Sequence, residues 1–224
     1  MAFLLNIETS TKNCSVAFSY KGKLLSVCEE RKDNFSHAEN QHNFIKWALE
    51  ASDRPLSSLD GVCVSSGPGS YTGLRIGLAA AKGICFGQNI PLISALSLDA
   101  LALGPQKEEY DVIIPMVDAR RMEVYTVNYS GDGNRLSEPH ALIVEEHSFR
   151  KFENKRTLFI GDGALKCKKL LNKPNWNFVE AYPSAKQLID LSYKKYLLND
   201  FEPLDSFNPN YLKEFVAGQP KKLI

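Results

Sequence analysis

The chain has 224 residues, and several things are missing from it. Its five cysteines, Cys14, Cys28, Cys63, Cys85 and Cys167, form no CxxC pair, which excludes a zinc ribbon or a thioredoxin-type redox site. Most sit within apolar runs, as buried free thiols of a reducing compartment do. Histidine is scarce, with four in all and none between His42 and His140. His37 and His42 flank Glu39, but five helical steps separate two side chains by about 140°, so they do not face one metal. His140 and His147 show no ligand spacing either, and the expectation is no metal. Charge of one sign is absent: the net value is +1, so no strong field draws the chain to nucleic acid or membrane. No long apolar run exists, because Lys82 interrupts the longest small-apolar stretch, and no membrane span is expected. The start, Met1-Ala2-Phe3-Leu4-Leu5, has no basic leader ahead of its apolar residues. The expected setting is cytoplasmic.

What is present is a core-forming α/β pattern, with 44% hydrophobic residues. Strands are expected at Ala2–Glu8, Cys14–Tyr20, Leu24–Glu29, Leu59–Val64, Pro91–Ile93, Val112–Val117, Glu123–Tyr129, Leu142–Val144 and Thr157–Ile160. Helices are expected at Asn34–Ala51, Thr72–Phe86, Ser97–Leu103 and Ser184–Leu198. Ser36 and Glu39 have capping-box spacing. Gly104-Pro105-Gln106-Lys107 reads as a boundary, which gives lobes of 1–104 and 105–224, with a tail over Gly218–Ile224. The second half echoes the first, as a duplicated fold would.

The most informative string is Ser65-Ser66-Gly67-Pro68-Gly69-Ser70-Tyr71-Thr72-Gly73-Leu74-Arg75-Ile76-Gly77-Leu78. Gly67, Pro68 and Gly69 make a tight turn between a strand and a helix that Ser70 or Thr72 can cap. A helix start after glycines suits a phosphate, yet the spacing is neither the dinucleotide fingerprint nor a P-loop. Both readings, phosphate cradle and plain turn, stay open. Gly161-Asp162-Gly163-Ala164 is a second turn of this kind. Along the helix, Gly73, Gly77 and Ala81 recur every four residues, with Leu74 and Leu78 beside them. Such a strip lets another element approach closely, whether the chain's own sheet or a partner. Asp118, Arg120 and Glu123 read as an ion-pair network or a cleft lining. Lys166, Lys168 and Lys169 read as a solvated face or a phosphate contact.

The glycine string resembles the signature of the TsaB (YeaZ) family of tRNA threonylcarbamoyladenosine biosynthesis proteins. Leu5-Asn6-Ile7-Glu8-Thr9-Ser10-Thr11, Ser36-His37-Ala38-Glu39 and Val117-Asp118-Ala119-Arg120-Arg121-Met122-Glu123-Val124-Tyr125 resemble further segments of it. The resemblance implies a two-lobed actin-like, sugar-kinase-like (ribonuclease-H-like) α/β fold, each lobe a mixed sheet with flanking helices. It implies the non-catalytic paralogue of the TsaD-type transferase, since the His-x-x-x-His motif of that type has no counterpart here. No catalytic residue is then expected. The implied role is a scaffold that binds the TsaD-type subunit as a heterodimer, with a TsaE-type ATPase in a ternary complex and tRNA reached indirectly. The implied surface is the first-lobe helices, with Gly73, Leu74, Gly77, Leu78, Ala81 and His37 as candidate partner-binding residues; a homodimer is the expectation for the chain alone. No cofactor is required, but weak ATP or ADP binding is allowed at Thr9, Ser10, Gly67, Gly69, Ser70, Gly161 and Gly163. Glu8 and Ser10 stand where the superfamily has Asp-x-Gly, and a Cβ at Ser10 hinders close approach to phosphate. Two alternatives are an ATP-binding kinase or ATPase of the same superfamily and a metallopeptidase.

Overall fold

The computed structural model describes residues 1–32, 37–103 and 109–213. The Ser36 cap, the 104–107 boundary and the 218–224 tail lie outside the described residues. The first sheet is built from β1 (Phe3–Glu8), β2 (Asn13–Tyr20), β3 (Lys23–Arg31), β4 (Gly61–Ser65) and β5 (Leu92–Ala95), in the order β3-β2-β1-β4-β5. β1 pairs antiparallel with β2 and parallel with β4. α1 (His37–Ala51) and α2 (Tyr71–Gln88) cover one face, and α3 (Ser97–Leu103) leads out of the lobe.

The second sheet contains β6 (Val112–Asp118), β7 (Glu123–Thr126), β9 (His140–Ile143), β10 (Thr157–Ile160) and β11 (Trp176–Val179), with β8 (Tyr129–Ser130) paired to β6. Its order reads β9-β7-β6-β10-β11, antiparallel through β6, β7 and β9 and parallel through β6, β10 and β11. That is the order of the first sheet, strand for strand, so the expected two-lobed α/β fold with a repeated mixed sheet is what forms. A short α4 (Ala164–Cys167) follows β10.

The chain then crosses back. Ser184 caps a 3-10 turn, Ala185–Leu188, through a capping box with Gln187, and α5 (Ile189–Leu197) continues from it. Leu188 joins Cys63, Ile93, Ala95 and Ala100, while Ala185 and Ile189 join Ala17, all on the first sheet's other face. The last helix among the described residues thus belongs to the first sheet, although it follows the second sheet in the chain. β1 and β2 are enclosed on both faces, so even their polar residues Asn6, Glu8, Asn13, Ser15 and Ser19 are buried.

One expected element differs in detail, and one strand was not expected. The run Glu123–Tyr129 breaks at Val127–Asn128, where the Asn128 N–H turns to Ser137 Oγ at 3.0 Å and its carbonyl accepts from Leu136 at 2.7 Å. β11 carried no sequence expectation. It is a four-residue edge strand anchored by Trp176, whose ring meets Phe159 at 5.1 Å.

Candidate functional site

The site is built where β1 and β4 end. Gly67 takes φ +93°, a left-handed value that favours glycine, and the Gly67–Pro68 bond is cis. Backbone bonds hold the turn: Ser97 N–H to Gly67 O and Asn210 N–H to Ser66 O, both 2.8 Å. Ser70 caps α2 by accepting Gly73 N–H at 3.2 Å.

The β1–β2 turn is pressed against this helix start. Ser70 N–H donates to Ser10 O at 2.6 Å, Thr9 Oγ1 donates to Gly73 O at 2.8 Å, and His37 Nε2 donates to Thr11 O at 2.8 Å. A Cβ on Gly69 would stand 2.2 Å from Ser10 O, one on Gly73 2.2 Å from Thr9 O, and one on Gly77 2.4 Å from Thr9 Oγ1. The glycines are therefore filled by the chain's own turn.

This corrects the expected partner set. Gly73, Leu74, Gly77, Leu78, Ala81 and His37 are all buried, so none offers a free surface. The physical reason is the contact with Thr9 and His37, which consumes the Gly73–Gly77 strip. The outward face of α2 lies two residues on. Ala79, Gly83, Phe86 and Gly87 are exposed, Phe86 at 83%, and nothing stands within 4 Å of a Cβ at Gly83 or Gly87. On α1, Trp47 is 51% exposed, its ring 5.8 Å from that of Phe44. Sequence reasoning missed Trp47, Gly83 and Phe86. The signal was there, since Ala79, Gly83 and Gly87 form a second period-four strip on the same helix.

The expected nucleotide set fares differently again. Thr9 and Ser10 are buried, and the carbonyls of both face α2 or its cap rather than a cleft. Gly67, Gly69 and Ser70 serve the same interlock. Gly161 and Gly163 sit in the other lobe, where Gly163 N–H donates to Met116 O at 3.0 Å and a Cβ on Gly161 would meet that carbonyl at 2.1 Å. Both glycine turns pack on backbone. A cavity of about 560 Å³ lies elsewhere, walled by Asn13, Glu29, Arg31, Tyr182 and Lys186 among others.

Glu8 is fully buried and makes no ion pair among the described residues. Its Oε1 accepts Ser10 N–H at 2.7 Å, with the hydroxyls of Ser65 and Ser97 also close. Burial pushes its carboxyl above the usual range, against the lowering effect of those hydrogen bonds. A carboxyl enclosed in this way braces the turn.

Residues 34–202 match the family model described as "TsaD: tRNA N6-adenosine threonylcarbamoyltransferase". The tRNA threonylcarbamoyladenosine biosynthesis protein TsaB of Bacillus subtilis is 30% identical, over 70% of each chain. The chain belongs to the TsaB (YeaZ) family. The TsaB protein of Haemophilus influenzae is 26% identical over 96% of this chain and 94% of its own. The solved structure of YeaZ from Pseudomonas aeruginosa shares the fold, with a TM-score of 0.81 at 24% identity, over 95% of this chain and all of the other.

A second feature of this TsaB-family chain is the β6–β7 turn. Asp118 N–H donates to Asp162 Oδ1 at 2.9 Å, and Asp118 Oδ1 accepts Arg120 N–H at 2.8 Å. Lys166 pairs with Asp118, and Lys213 pairs with Glu123. The expected Asp118, Arg120 and Glu123 group is thus an ion-pair network for its acids, while Arg120 takes part through its backbone.

Proposed function

We propose that this chain is a non-catalytic subunit of the machinery that forms N6-threonylcarbamoyladenosine in tRNA. It binds and stabilises a TsaD-type transferase through the outward face of α1 and α2. One observation carries this reading: a large exposed aromatic at each helix, Trp47 and Phe86, beside a small-residue strip with open space over Gly83 and Gly87. Exposed aromatics beside room for close approach are what a partner helix needs. A TsaE-type ATPase joins as a third member, and two copies of this chain pair through the same strip when the transferase is absent. The role asks for no cofactor here. A cytoplasmic setting suits five cysteines that all remain free thiols. No helix among the described residues is long and apolar enough to cross a membrane.

The ATPase alternative, and weak ATP or ADP binding with it, has the burial of Glu8, Thr9 and Ser10 against it. The metallopeptidase alternative has against it a His37 ring tied to Thr11 O.

The test is light scattering on size-exclusion of the full chain mixed with the TsaD-type protein of the same organism, as wild type and as Gly83→Trp. The open position admits Trp without unfolding the chain. A heterodimer formed by wild type and lost in the folded variant is expected. An unchanged heterodimer moves the contact off α2, and no complex with wild type removes the scaffold reading.

A further inference from the structure

Two arginines stand at the tip of the β6–β7 hairpin. Arg120 and Arg121 take φ +70° and +50°, both left-handed. Each such residue with a Cβ costs about 1 kcal/mol or more, and a turn that serves only to reverse the chain is better made by glycine or asparagine. The strain is held by a dense set of backbone bonds: Ala119 N–H to Glu123 O and Glu123 N–H to Arg120 O, each 3.1 Å, besides the two bonds to Asp118 and Asp162. Persisting strain of this kind is a reason to ask what the side chains do.

Charge supplies the second observation. The two acids of the hairpin, Asp118 and Glu123, are each engaged by a lysine brought from elsewhere, Lys166 from α4 and Lys213 from beyond α5. The arginines are therefore not needed to balance them. Both are exposed, and neither guanidinium makes a hydrogen bond or ion pair among the described residues. Lys168 and Lys169, just past α4, are likewise exposed and without an ion pair among the described residues. The result is a rigid tip that presents two planar donor forks with the local acids already neutralised.

We infer that the Arg120–Arg121 tip is a contact for the phosphodiester backbone of RNA. The guanidinium fork matches a phosphate bidentately, which an ammonium does not. Backbone contacts position a nucleic acid without reading its sequence, so the tip would orient the tRNA while the partner reads it. With a net charge of only +1 the chain has no diffuse field for this purpose, so a contact must be local. The choice of RNA over an acidic protein rests on the tRNA-modification reading above.

The experiment titrates a fluorescently labelled, unmodified tRNA transcript with the full chain, alone and mixed with its TsaD-type partner, from 50 to 200 mM salt. Wild type is compared with an Arg120→Asn/Arg121→Asn double variant, because asparagine accepts left-handed backbone and leaves the fold intact. Loss of two phosphate contacts should weaken binding about tenfold at low salt and lower the slope of log affinity against log salt by about 1.4 to 1.8. A double lysine variant should keep the slope and lose part of the affinity. Superimposable salt lines for wild type and the asparagine variant overturn the inference. Displacement of the RNA by poly-glutamate at equal charge overturns it in favour of an acidic protein. Light scattering on the same samples reports separately whether the heterodimer forms, so a failed scaffold reading is not mistaken for a failed RNA contact.

Discussion

The two lobes place a hairpin turn at the same point of the same strand order, and they use it in opposite ways. In the first lobe Thr9, Ser10 and Thr11 of the β1–β2 turn are buried and gripped from two helices. In the second lobe the β6–β7 turn is exposed, rich in charge and left-handed at two arginines. Each leans on an acid that accepts a turn N–H, the buried Glu8 for Ser10 and the half-buried Asp162 for Asp118. A repeated fold therefore does not repeat its chemistry. One turn became a keystone that fixes α1 and α2, and the other kept its face to the solvent.

The largest effect should come from breaking the keystone. Gly73→Ala puts a methyl 2.2 Å from Thr9 O, where backbone rather than a flexible side chain must move. We expect a loss of about 3 kcal/mol, a fall of roughly 10 °C in melting temperature by thermal denaturation. Gly83→Ala, ten residues along the same helix, meets nothing and should raise stability by up to about 1 kcal/mol through helix propensity. Equal effects at the two glycines would mean that α2 does not rest on the β1–β2 turn.

This pair also marks what the sequence could tell. Most strands and helices were legible because buried apolar runs and helical stripes are local signals, and Ser97–Leu103 and Thr157–Ile160 appear with the bounds expected of them. The glycine turn and its capped helix were legible too. Which glycine strip faces inward was not. Gly73-Gly77-Ala81 and Ala79-Gly83-Gly87 have the same period, and the deciding contact, Thr9 Oγ1 to Gly73 O, spans 64 residues of chain. The return of α5 to the first sheet was hidden for the same reason. Its apolar positions announce a buried face and say nothing about which sheet lies under it. The Val127–Asn128 break was missed because a later loop, through the Ser137 hydroxyl and the Leu136 N–H, draws the backbone away against local propensity.

Titration bears on both acids in the same direction. Glu8 has its carboxyl raised by burial, and burial likewise pushes Asp162 up to about 6. A raised folded value means that the native state holds its proton longer than the unfolded state. Stability from each group is full below the unfolded value, near 4, and is lost as pH rises through the folded value. Wild type should therefore lose stability relative to Glu8→Gln and to Asp162→Asn as pH climbs from about 4. For Asp162 the difference should level off above about pH 6. Melting curves for the three proteins between pH 4 and 8 check this. A wild type that gains on either variant with rising pH would mean that the acid is ionised in the fold.

The smallest effect should come from the exposed turn, and that smallness is informative. Lys213 pairs with Glu123 at a partly exposed site, and such pairs contribute about 0.5 kcal/mol. Lys213→Ala should shift the melting temperature by no more than about 2 °C. It should also leave Glu123 as an unneutralised acid beside Arg120, which lowers the positive potential that the arginines present. RNA binding should then weaken by a few-fold at low salt, with a slope reduced by less than the double arginine substitution causes. A stability loss as large as that of Gly73→Ala would make the second turn a keystone as well and end the contrast between the lobes. A small stability loss with a clear RNA effect would place the second turn's charges on the binding surface and leave the folding role to the first.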